Sequence, residues 1–243
     1  MIEIFAYPLL VLLFTMLFTL EVIAPASKNQ CNRRWLILSG AFGVLQMTVS
    51  LGVGVYFKEW FLSHALWNLN NELPAIIIGF ISFLMTSFFF YGWHRALHQN
   101  AFLWRKIHQL HHSPQRVESL TAFFAHPIDS AFATLLSCLS AYLILGASAE
   151  AAAWALLFTG LFNFYIHSDT TSPFWVGYIL QRPEMHRIHH KRGYHANNYG
   201  LPIWDILFGT YENTNEYVPE VGFSEENTGR VYDMLKGIDV HEP

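Results

Sequence analysis

The stretch HRALHQNAFLWRKIHQLHH, residues 94–112, contains five histidines within nineteen residues, directly after an apolar segment that ends in FFFYGW. Its spacing is HxxxH followed by HxxHH, and a second HxxHH box occurs at residues 186–190. In an α-helix, residues i, i+3 and i+4 lie on one face, so each box is expected to present two or three imidazoles to one point. Because imidazole binds Fe, Zn, Cu and Ni well, the spacing predicts a metal centre.

The composition is typical of a membrane protein. Hydrophobic residues make up 53% of the 243 residues and charged residues only 13%, whereas about 25% of the residues in soluble domains are charged. The formal net charge of −4 gives no indication of a nucleic-acid partner. Cys31 and Cys138 lie far apart and form no CxxC motif, which argues against a disulfide framework and against a thiolate metal site.

Five apolar runs without charged residues occur at about 5–20, 35–57, 73–93, 130–149 and 151–166. A helix needs about 20 residues to span a bilayer; the second, third and fourth runs meet this length, and the first and fifth need their flanks. The amino terminus carries Glu3 and no basic stretch, so we interpret it as a retained membrane helix rather than a signal peptide. The sequence predicts an all-α, polytopic membrane helix bundle with about four to five transmembrane helices.

The distribution of basic residues predicts the orientation of the bundle. The first linker, SKNQCNRR, holds three basic residues, which favours a cytoplasmic position. Alternation then puts 94–129 and everything after 167 on the same side, and only Lys58 of the 14 Lys and Arg residues falls outside. All the boxed histidines share the cytoplasmic side in this topology. We therefore expect a histidine-rich helical cap on the cytoplasmic side of a bacterial inner membrane or an ER-like membrane.

The number of histidines indicates two metals. The three boxes supply eight histidines, whereas a mononuclear site takes three or four protein ligands. Soluble di-iron bundles use Glu-x-x-His, which this chain lacks, so an all-imidazole site is expected. His167, at the end of the fifth run, is a further candidate ligand, and His64 and His241 are interpreted as interfacial or packed residues.

Other polar residues near the boxes could bind a metal or orient the ligand imidazoles through hydrogen bonds. His126 and His195 are candidates for either role. The carboxylates expected on the same side are Glu118, Asp129, Asp169, Glu184 and Asp205. The sequence does not select among them.

These motifs resemble those of the fatty acid hydroxylase / sterol desaturase superfamily of integral-membrane di-iron enzymes. The resemblance extends over about residues 75–215. It rests on HRALH at 94–98, HQLHH at 108–112, AHP at 125–127, PEMHRIHH at 183–190, NYG at 198–200, WD at 204–205 and FGT at 208–210.

The resemblance implies a ligand set. Its members are His94, His98, His108, His111, His112, His186, His189 and His190, with His167 completing the set. Asn163 stands where some relatives have a further histidine, and it would hold a water, act as a weak ligand or pack in the fifth helix. Asp129 stands where many relatives have glutamate, and residues 195–197 lack an acidic residue that is common there. Both departures concern the substrate more than the metal site.

The resemblance also implies a function, namely that of a non-haem di-iron oxygenase. Such an enzyme uses O2 to hydroxylate a lipid in lipid biosynthesis or modification, for example a fatty acyl chain, a sterol-like molecule, or an amino or ether lipid. Two iron ions are the expected cofactor, and a separate redox partner is expected to supply electrons. The chain is then divided into membrane-anchor helices at 1–72, a di-iron hydroxylase or desaturase domain at 73–215, and a solvated tail at 216–243.

Other functions are consistent with parts of the pattern. A desaturase with the same site is the main alternative, because the boxes do not distinguish oxygen insertion from the removal of two hydrogens. A zinc protease of the HExxH type is excluded, since Arg95 stands where the glutamate base is required. A metal transporter or sensor would fit the histidine content, but it predicts charged or polar residues inside the spans, and the apolar runs contain no charged residue.

Overall fold

The computed structural model describes residues 2–27 and 32–241, and the regular elements in these ranges are helices. The α-helices are α1 Ile2–Ile23, α2 Arg33–Ser63, α3 Ala75–Gln99, α4 Ala101–Leu103, α5 Gln109–His112, α6 Pro127–Cys138, α7 Ala149–His167, α8 Pro183–His189, α9 Pro202–Phe208, α10 Glu225–Thr228 and α11 Val231–Lys236. Two π-helical segments cover Trp104–His108 and Leu139–Ile144 among the described residues, and two 3-10 helices cover Ser119–Phe123 and Phe174–Tyr178. Lys28, Cys31 and the last two residues, to which some expectations above refer, lie outside the described residues.

Five helices are long and apolar enough to cross a membrane, which confirms the predicted all-α bundle of four to five spans. They are Ile2–Ile23, Arg33–Ser63, Ala75–Gln99, Pro127–Ile144 and Ala149–His167, the fourth joining α6 to the π-helical segment that follows it. The first span, expected to be slightly short, has 22 residues because the helix continues to Ile23. The fourth, with 18 residues, is the shortest.

The bundle is built around α7, which packs against both α1 and α3, while α2 packs against α6. Small residues permit the closest approach: an added Cβ at Gly79 of α3 would lie 2.8 Å from the carbonyl oxygen of Ala151 on α7. The outward faces of α1 and α2 expose large apolar side chains such as Ile4, Val44 and Val55. Faces of this kind are suited to contact with lipid tails.

The chain alternates in direction, so both histidine boxes lie at one end of the bundle. At this end the Trp35 indole of α2 donates a hydrogen bond to Glu118, and Ser27, after α1, donates to Asp169, after α7. At the opposite end the Leu66 amide donates to the carbonyl oxygen of Leu143 at 2.8 Å. The convergence expected from the topology is therefore present, and we call the boxed end the cap.

The carboxy-terminal segment is packed onto the cap rather than solvated, so this part of the expectation for residues 216–243 is wrong. Phe223, Met234 and Val240 are buried in one cluster with Phe42 of α2 and Leu110 of α5. The short helix α11 has apolar residues at positions 231, 234 and 235, which share one helical face. The segment as a whole is acidic, so its composition gives no indication of this apolar face.

The replacement Gly79→Ala is expected to destabilise the contact between α3 and α7. The new Cβ would lie 2.5 Å from the Trp154 Cβ, so the helices must separate, and overpacking typically costs about 1–3 kcal/mol. Gly92→Ala is the matched control in the same helix, because no heavy atom lies within 4 Å of its added Cβ. The midpoints of thermal unfolding in detergent check this, and equal midpoints for the two variants would contradict it.

Candidate metal centre

Nine histidines lie in two groups in the cap, and the candidate ligand atoms of each group all lie within 4.8 Å of one another. The five-histidine group consists of His94, His98, His108, His112 and His189. The four-histidine group consists of His111, His167, His186 and His190. Together they comprise the nine histidines that the sequence predicted as ligands.

Each HxxHH box is divided between the two groups: two of its imidazoles meet at one point, within the expected two or three, and the remaining one joins the other group. In the first box the i, i+4 pair His108 and His112 joins the five-histidine group, and His111 joins the other. In the second box the i, i+4 pair joins the four-histidine group, and His189 joins the five-histidine group. At 100° per residue, neighbouring histidines on a helix point in clearly different directions. Both α5 and α8 therefore lie between the groups and contribute to each.

The two groups are in direct contact with each other. The rings of His112 and His190 are stacked with their centroids 4.1 Å apart, and the rings of His189 and His186, again one from each group, are stacked 5.2 Å apart. The longer helices hold the remaining ligands, since α3 carries His94 and His98 one turn apart and α7 ends at His167. The cap thus brings two metal-sized sites side by side.

Backbone carbonyls determine which ring nitrogen carries the proton in the five-histidine group. The Nδ1 atom of His94 lies 2.8 Å from the carbonyl oxygen of Tyr199, and the Nδ1 atom of His189 lies 2.7 Å from that of Asn197. A carbonyl oxygen only accepts hydrogen bonds, so both Nδ1 atoms must donate. Each Nε2 atom then carries a lone pair.

A carboxylate holds the ring proton of His108 on Nδ1. The Nδ1 atom of His108 lies 2.9 Å from Oδ2 of Asp129, and the Trp93 indole donates to Oδ1 of that carboxylate at 2.9 Å. Asp129, one of the carboxylates the sequence could not choose among, therefore orients a histidine of this group. A carboxylate on the outer nitrogen of an imidazole makes it a stronger metal ligand.

The lone pairs fixed in this way point at one another. The Nε2 atom of His94 lies 3.1 Å from Nε2 of His108 and 3.1 Å from Nε2 of His189. The Nε2 atoms of His98 and His112 are buried and have no hydrogen-bond partner among the described residues. Lone pairs this close repel each other and cannot form hydrogen bonds, whereas a cation between them would bind them all.

The four-histidine group shows the same arrangement with different acceptors. The Nδ1 atom of His167 donates to the carbonyl oxygen of Asn163 at 2.9 Å, and Nδ1 of His111 to that of Phe124 at 3.3 Å. Their Nε2 atoms are 3.3 Å apart, and Nε2 of His186 lies 2.9 Å from Nε2 of His167. Three ring nitrogens therefore converge on one point here as well.

The cap histidines are deeply buried, and this keeps their rings neutral. His112, His189 and His190 are 0% exposed. Burial and, for most of them, neighbouring imidazoles lower the pKa of all six boxed histidines outside the spans: His108, His111, His112, His186, His189 and His190. The neutral ring is the form that binds a metal.

The two other candidate histidines occupy different positions. His195 lies beside the five-histidine group, with Nδ1 3.1 Å from Nδ1 of His112, and burial lowers its pKa to about 4. His126 lies outside both groups, where its Nδ1 accepts from the Ile128 amide at the start of α6. His64 and His241 also lie outside the groups, as the sequence suggested.

Among the remaining candidates, the side chains of Asp205 and Glu184 bond to other parts of the cap, and Asn163 bonds to a grouped imidazole through its backbone. Asp205 accepts from the amides of Tyr199 and Gly200, so it acts on the segment that bonds His94. Glu184 pairs with Arg182 at 2.9 Å. The backbone carbonyl of Asn163 accepts from Nδ1 of His167 at 2.9 Å.

A buried carboxylate collar joins the spans to the cap, and sequence reasoning missed its central residue, Glu21. Glu21 is 0% exposed and accepts from the amide and hydroxyl of Ser119 and from the Asp169 amide at 2.7 Å. Glu118 and Asp169, considered above as partners of the ligands, belong to this collar with Arg116, whose guanidinium lies 2.6 Å from Glu118. A carboxylate at the end of an apolar run was the available signal.

A family model described as fatty acid hydroxylase matches residues 79–210, a range that includes all nine grouped histidines. The chain is 30% identical over 212 residues to alkylglycerol monooxygenase of Homo sapiens, covering 85% of this chain and 43% of that protein. It is 32% identical over 150 residues to ornithine lipid hydroxylase OlsE of Rhizobium tropici, covering 59% and 44%.

A third relative is named as a decarbonylase rather than as a hydroxylase or monooxygenase. Over 147 residues the chain is 27% identical to very-long-chain aldehyde decarbonylase GL1-9 of Oryza sativa subsp. japonica, covering 57% of each protein. The chain spans less than half the length of the human and Rhizobium relatives. No solved structure gives a significant match.

The replacement Glu21→Ala is expected to destabilise the cap. It leaves the buried donors of Ser119 and Asp169 without an acceptor, at a cost of about 2 kcal/mol or more, which corresponds to roughly 5 °C in unfolding midpoint. Glu59→Ala is the control, because the Glu59 side chain is 83% exposed. Thermal unfolding of both variants in detergent is the measurement, and a midpoint for Glu21→Ala equal to that of the control would contradict the collar.

Proposed function

Because this chain belongs to the fatty acid hydroxylase family, we propose that it is a membrane-bound, non-haem di-iron oxygenase that hydroxylates a lipid. In this proposal each histidine group holds one iron ion, O2 is the cosubstrate and an external donor supplies electrons. The nine grouped histidines are the proposed ligands. The reaction belongs to lipid biosynthesis or modification.

The observation that carries the proposal is the convergence of imidazole lone pairs in two adjacent places. Around His94, three Nε2 atoms whose Nδ1 protons are fixed elsewhere approach to 3.1 Å. Around His167, the Nε2 atoms of three rings approach to 2.9–3.3 Å. Where the Nδ1 proton is held by a carbonyl or a carboxylate, the Nε2 lone pairs repel one another in this buried space unless a cation lies between them. The residues therefore fit two ions, and imidazole donors suit iron.

The chain's own residues would orient the ions and exclude water. When bound, the iron pair supplies the reduction of O2 needed to oxidise an unactivated C–H bond. Overall, the C–H carbon gains one oxygen atom, and the other leaves as water after two electrons and two protons are added. Asp129 holds the ring of His108 in the orientation that presents Nε2 to the ion. The near-complete burial of the cap histidines keeps bulk water from the ions.

Aromatic side chains next to the ligands support a lipid substrate. On α3, the ring of Phe90 lies 5.5 Å from that of His94. Further from the cap, Phe83 of α3 packs against Phe158 and Phe162 of α7. Helices α3 and α7 carry three of the proposed ligands, so an alkyl chain that lies along them would reach the ions from the membrane.

The relatives narrow the proposed substrate. One is named for alkylglycerols and another for ornithine lipids, which are ether and amino lipids. Among the substrates open from sequence, we therefore favour a polar lipid of the amino or ether class over a sterol-like polycycle. Desaturation at the same site is the alternative, and the product decides between the two.

We further propose that the cap faces the cytoplasm. Supporting this, Arg33 and Arg34 at the start of α2 and Arg105 and Lys106 beside the first box lie at the cap end, as the positive-inside rule favours. A cytoplasmic cap is accessible to a separate redox partner, the proposed source of electrons.

The iron content of variants tests the assignment of ligands to two ions. Wild-type protein loaded with Fe2+ is expected to hold two irons per chain. The pairs His108→Ala/His112→Ala and His186→Ala/His190→Ala each disable one group and are expected to leave about one iron. The control His64→Ala/His241→Ala is expected to keep two. Fewer than two irons in fully loaded wild type would exclude the di-iron site.

Product analysis tests the activity. Cells that express the wild type with an electron-donor system are expected to accumulate a lipid carrying one atom from isotopically labelled O2, and cells expressing His111→Ala are expected to lack it. A product that has lost two hydrogens and carries no label would replace hydroxylation by desaturation. If iron-loaded protein supplied with ether and amino lipids, O2 and reductant leaves both classes unchanged, the proposed activity is wrong.

A further inference from the structure

We propose that the loop at residues 193–199 is a positioning element for the five-histidine group: it lies against four of the five histidines and fixes the ring orientation and tautomer of three of them. The consequence is that this loop sets how tightly that group holds its metal and leaves the four-histidine group unaffected. The inference rests on the proposed function only in requiring that both groups bind a metal.

The loop contacts the group through alternate residues. The carbonyl oxygens of Asn197 and Tyr199 accept from Nδ1 of His189 at 2.7 Å and of His94 at 2.8 Å. The backbone of His195 lies against the ring of His98. Positions 195, 197 and 199 thus direct three backbone groups to three different imidazoles.

The fourth contact is between side chains. Nδ1 of His195 lies 3.1 Å from Nδ1 of His112, so one of the two must donate and the other accept. The Nε2 atom of His112 belongs to the group and needs its lone pair, so its Nδ1 carries the proton. His195 is therefore the acceptor, and His195 acts on the metal through His112.

The backbone of the loop is unusual in a way that points to this role. Among the described residues, the three non-glycine residues with positive φ are His195 at 43°, Asn197 at 60° and Asn198 at 49°, and Gly193 has φ of 72°. Left-handed residues are rare outside glycine, and asparagine tolerates the conformation best after glycine. Such outliers persist where the surroundings hold them, commonly at functional sites.

Hydrogen bonds from the rest of the cap hold the loop in this conformation. The buried Asn198 amide donates to the carbonyls of Met185 and Glu212 and accepts from the Glu212 amide at 2.9 Å. The carboxylate of Asp205 accepts from the amides of Tyr199 and Gly200. The carbonyls are therefore fixed before any ligand arrives, which lowers the entropic cost of metal binding.

The four-histidine group is positioned independently of the loop. His167 donates to a carbonyl of its own helix, at Asn163, and His111 donates to that of Phe124. A change in the loop should therefore affect one ion of the pair. This selectivity distinguishes a positioning role from a general role in stability.

The test compares two variants of Asn197 in the full-length protein in detergent, loaded with Fe2+ and exposed to a colorimetric Fe2+ chelator. Both variants lose the side-chain bonds of Asn197 to Tyr194 and Glu212, and they differ in backbone preference. Glycine retains the left-handed conformation, whereas a β-branched valine resists it. We expect Asn197→Val to release one iron about 10-fold faster than the wild type, since mutation of a residue that hydrogen-bonds to a metal ligand typically costs about 10–100-fold in affinity. Asn197→Gly is expected to release both irons at the wild-type rate.

A second pair of variants tests the side chain of His195. Asparagine provides an oxygen at about the position of Nδ1, whereas glycine offers no acceptor, and both tolerate the positive φ of position 195. His195→Asn is expected to keep wild-type release, and His195→Gly is expected to release one iron faster. Equal release from these two variants would contradict the role of the His195 side chain.

The results separate failure of this inference from failure of the proposed function. Wild type that binds no iron at either group contradicts the proposed function and the inference with it. Two irons in the wild type with identical release from the valine and glycine variants overturns the inference alone. Equal loss of both irons from Asn197→Val, with a lower unfolding midpoint of the metal-free protein, also overturns it, because the loop would then act on stability alone.

Discussion

The hydrogen bonds on the outer nitrogens of the histidines are the interaction on which the site depends. Each acceptor holds the ring proton on the outer nitrogen, Nδ1, so the inner nitrogen, Nε2, carries a lone pair. The acceptors are the carbonyl oxygens of Tyr199, Asn197 and Asn163 and the carboxylate of Asp129. The lone pairs of the inner nitrogens then point at one another in a buried space. Mutual repulsion of this kind is costly in a low dielectric unless a cation occupies the space.

Two short helices contribute candidate ligands to both histidine groups, so the two candidate metal positions share their supporting elements. Helices α5 and α8 each contribute ligands to both groups, and the stacked rings of His112 and His190 lie between them. A rigid-body shift of either helix would therefore change both groups together, whereas a changed hydrogen bond on one ring acts on the group to which that ring belongs. The longer helices α3 and α7 carry His94, His98 and His167, so the bundle itself positions three of the candidate ligands.

The membrane spans and the cap are joined by polar contacts where purely apolar packing would permit sliding. The collar around Glu21 ties the end of α1 to Ser119, in the cap segment between the third and fourth spans, and to Asp169, after the fifth span. Trp35 ties the start of α2 to the same region through Glu118. Buried hydrogen bonds are directional, so they fix the cap relative to the bundle end more sharply than side-chain packing alone.

The sequence by itself determined the spans, their alternation and the nine candidate ligands, because these depend on local quantities: apolar run length, charge placement and the spacing of histidines. It could not determine that His111 and His112 belong to different groups, since periodicity gives a direction around one helix and says nothing of what lies there. Nor could it single out Asp129 or Glu21, or say which imidazoles the turn at residues 197–200 contacts, because these contacts depend on how separate segments pack together. Only the tertiary structure decided these, since the partner of each buried polar atom is set by where the helices meet.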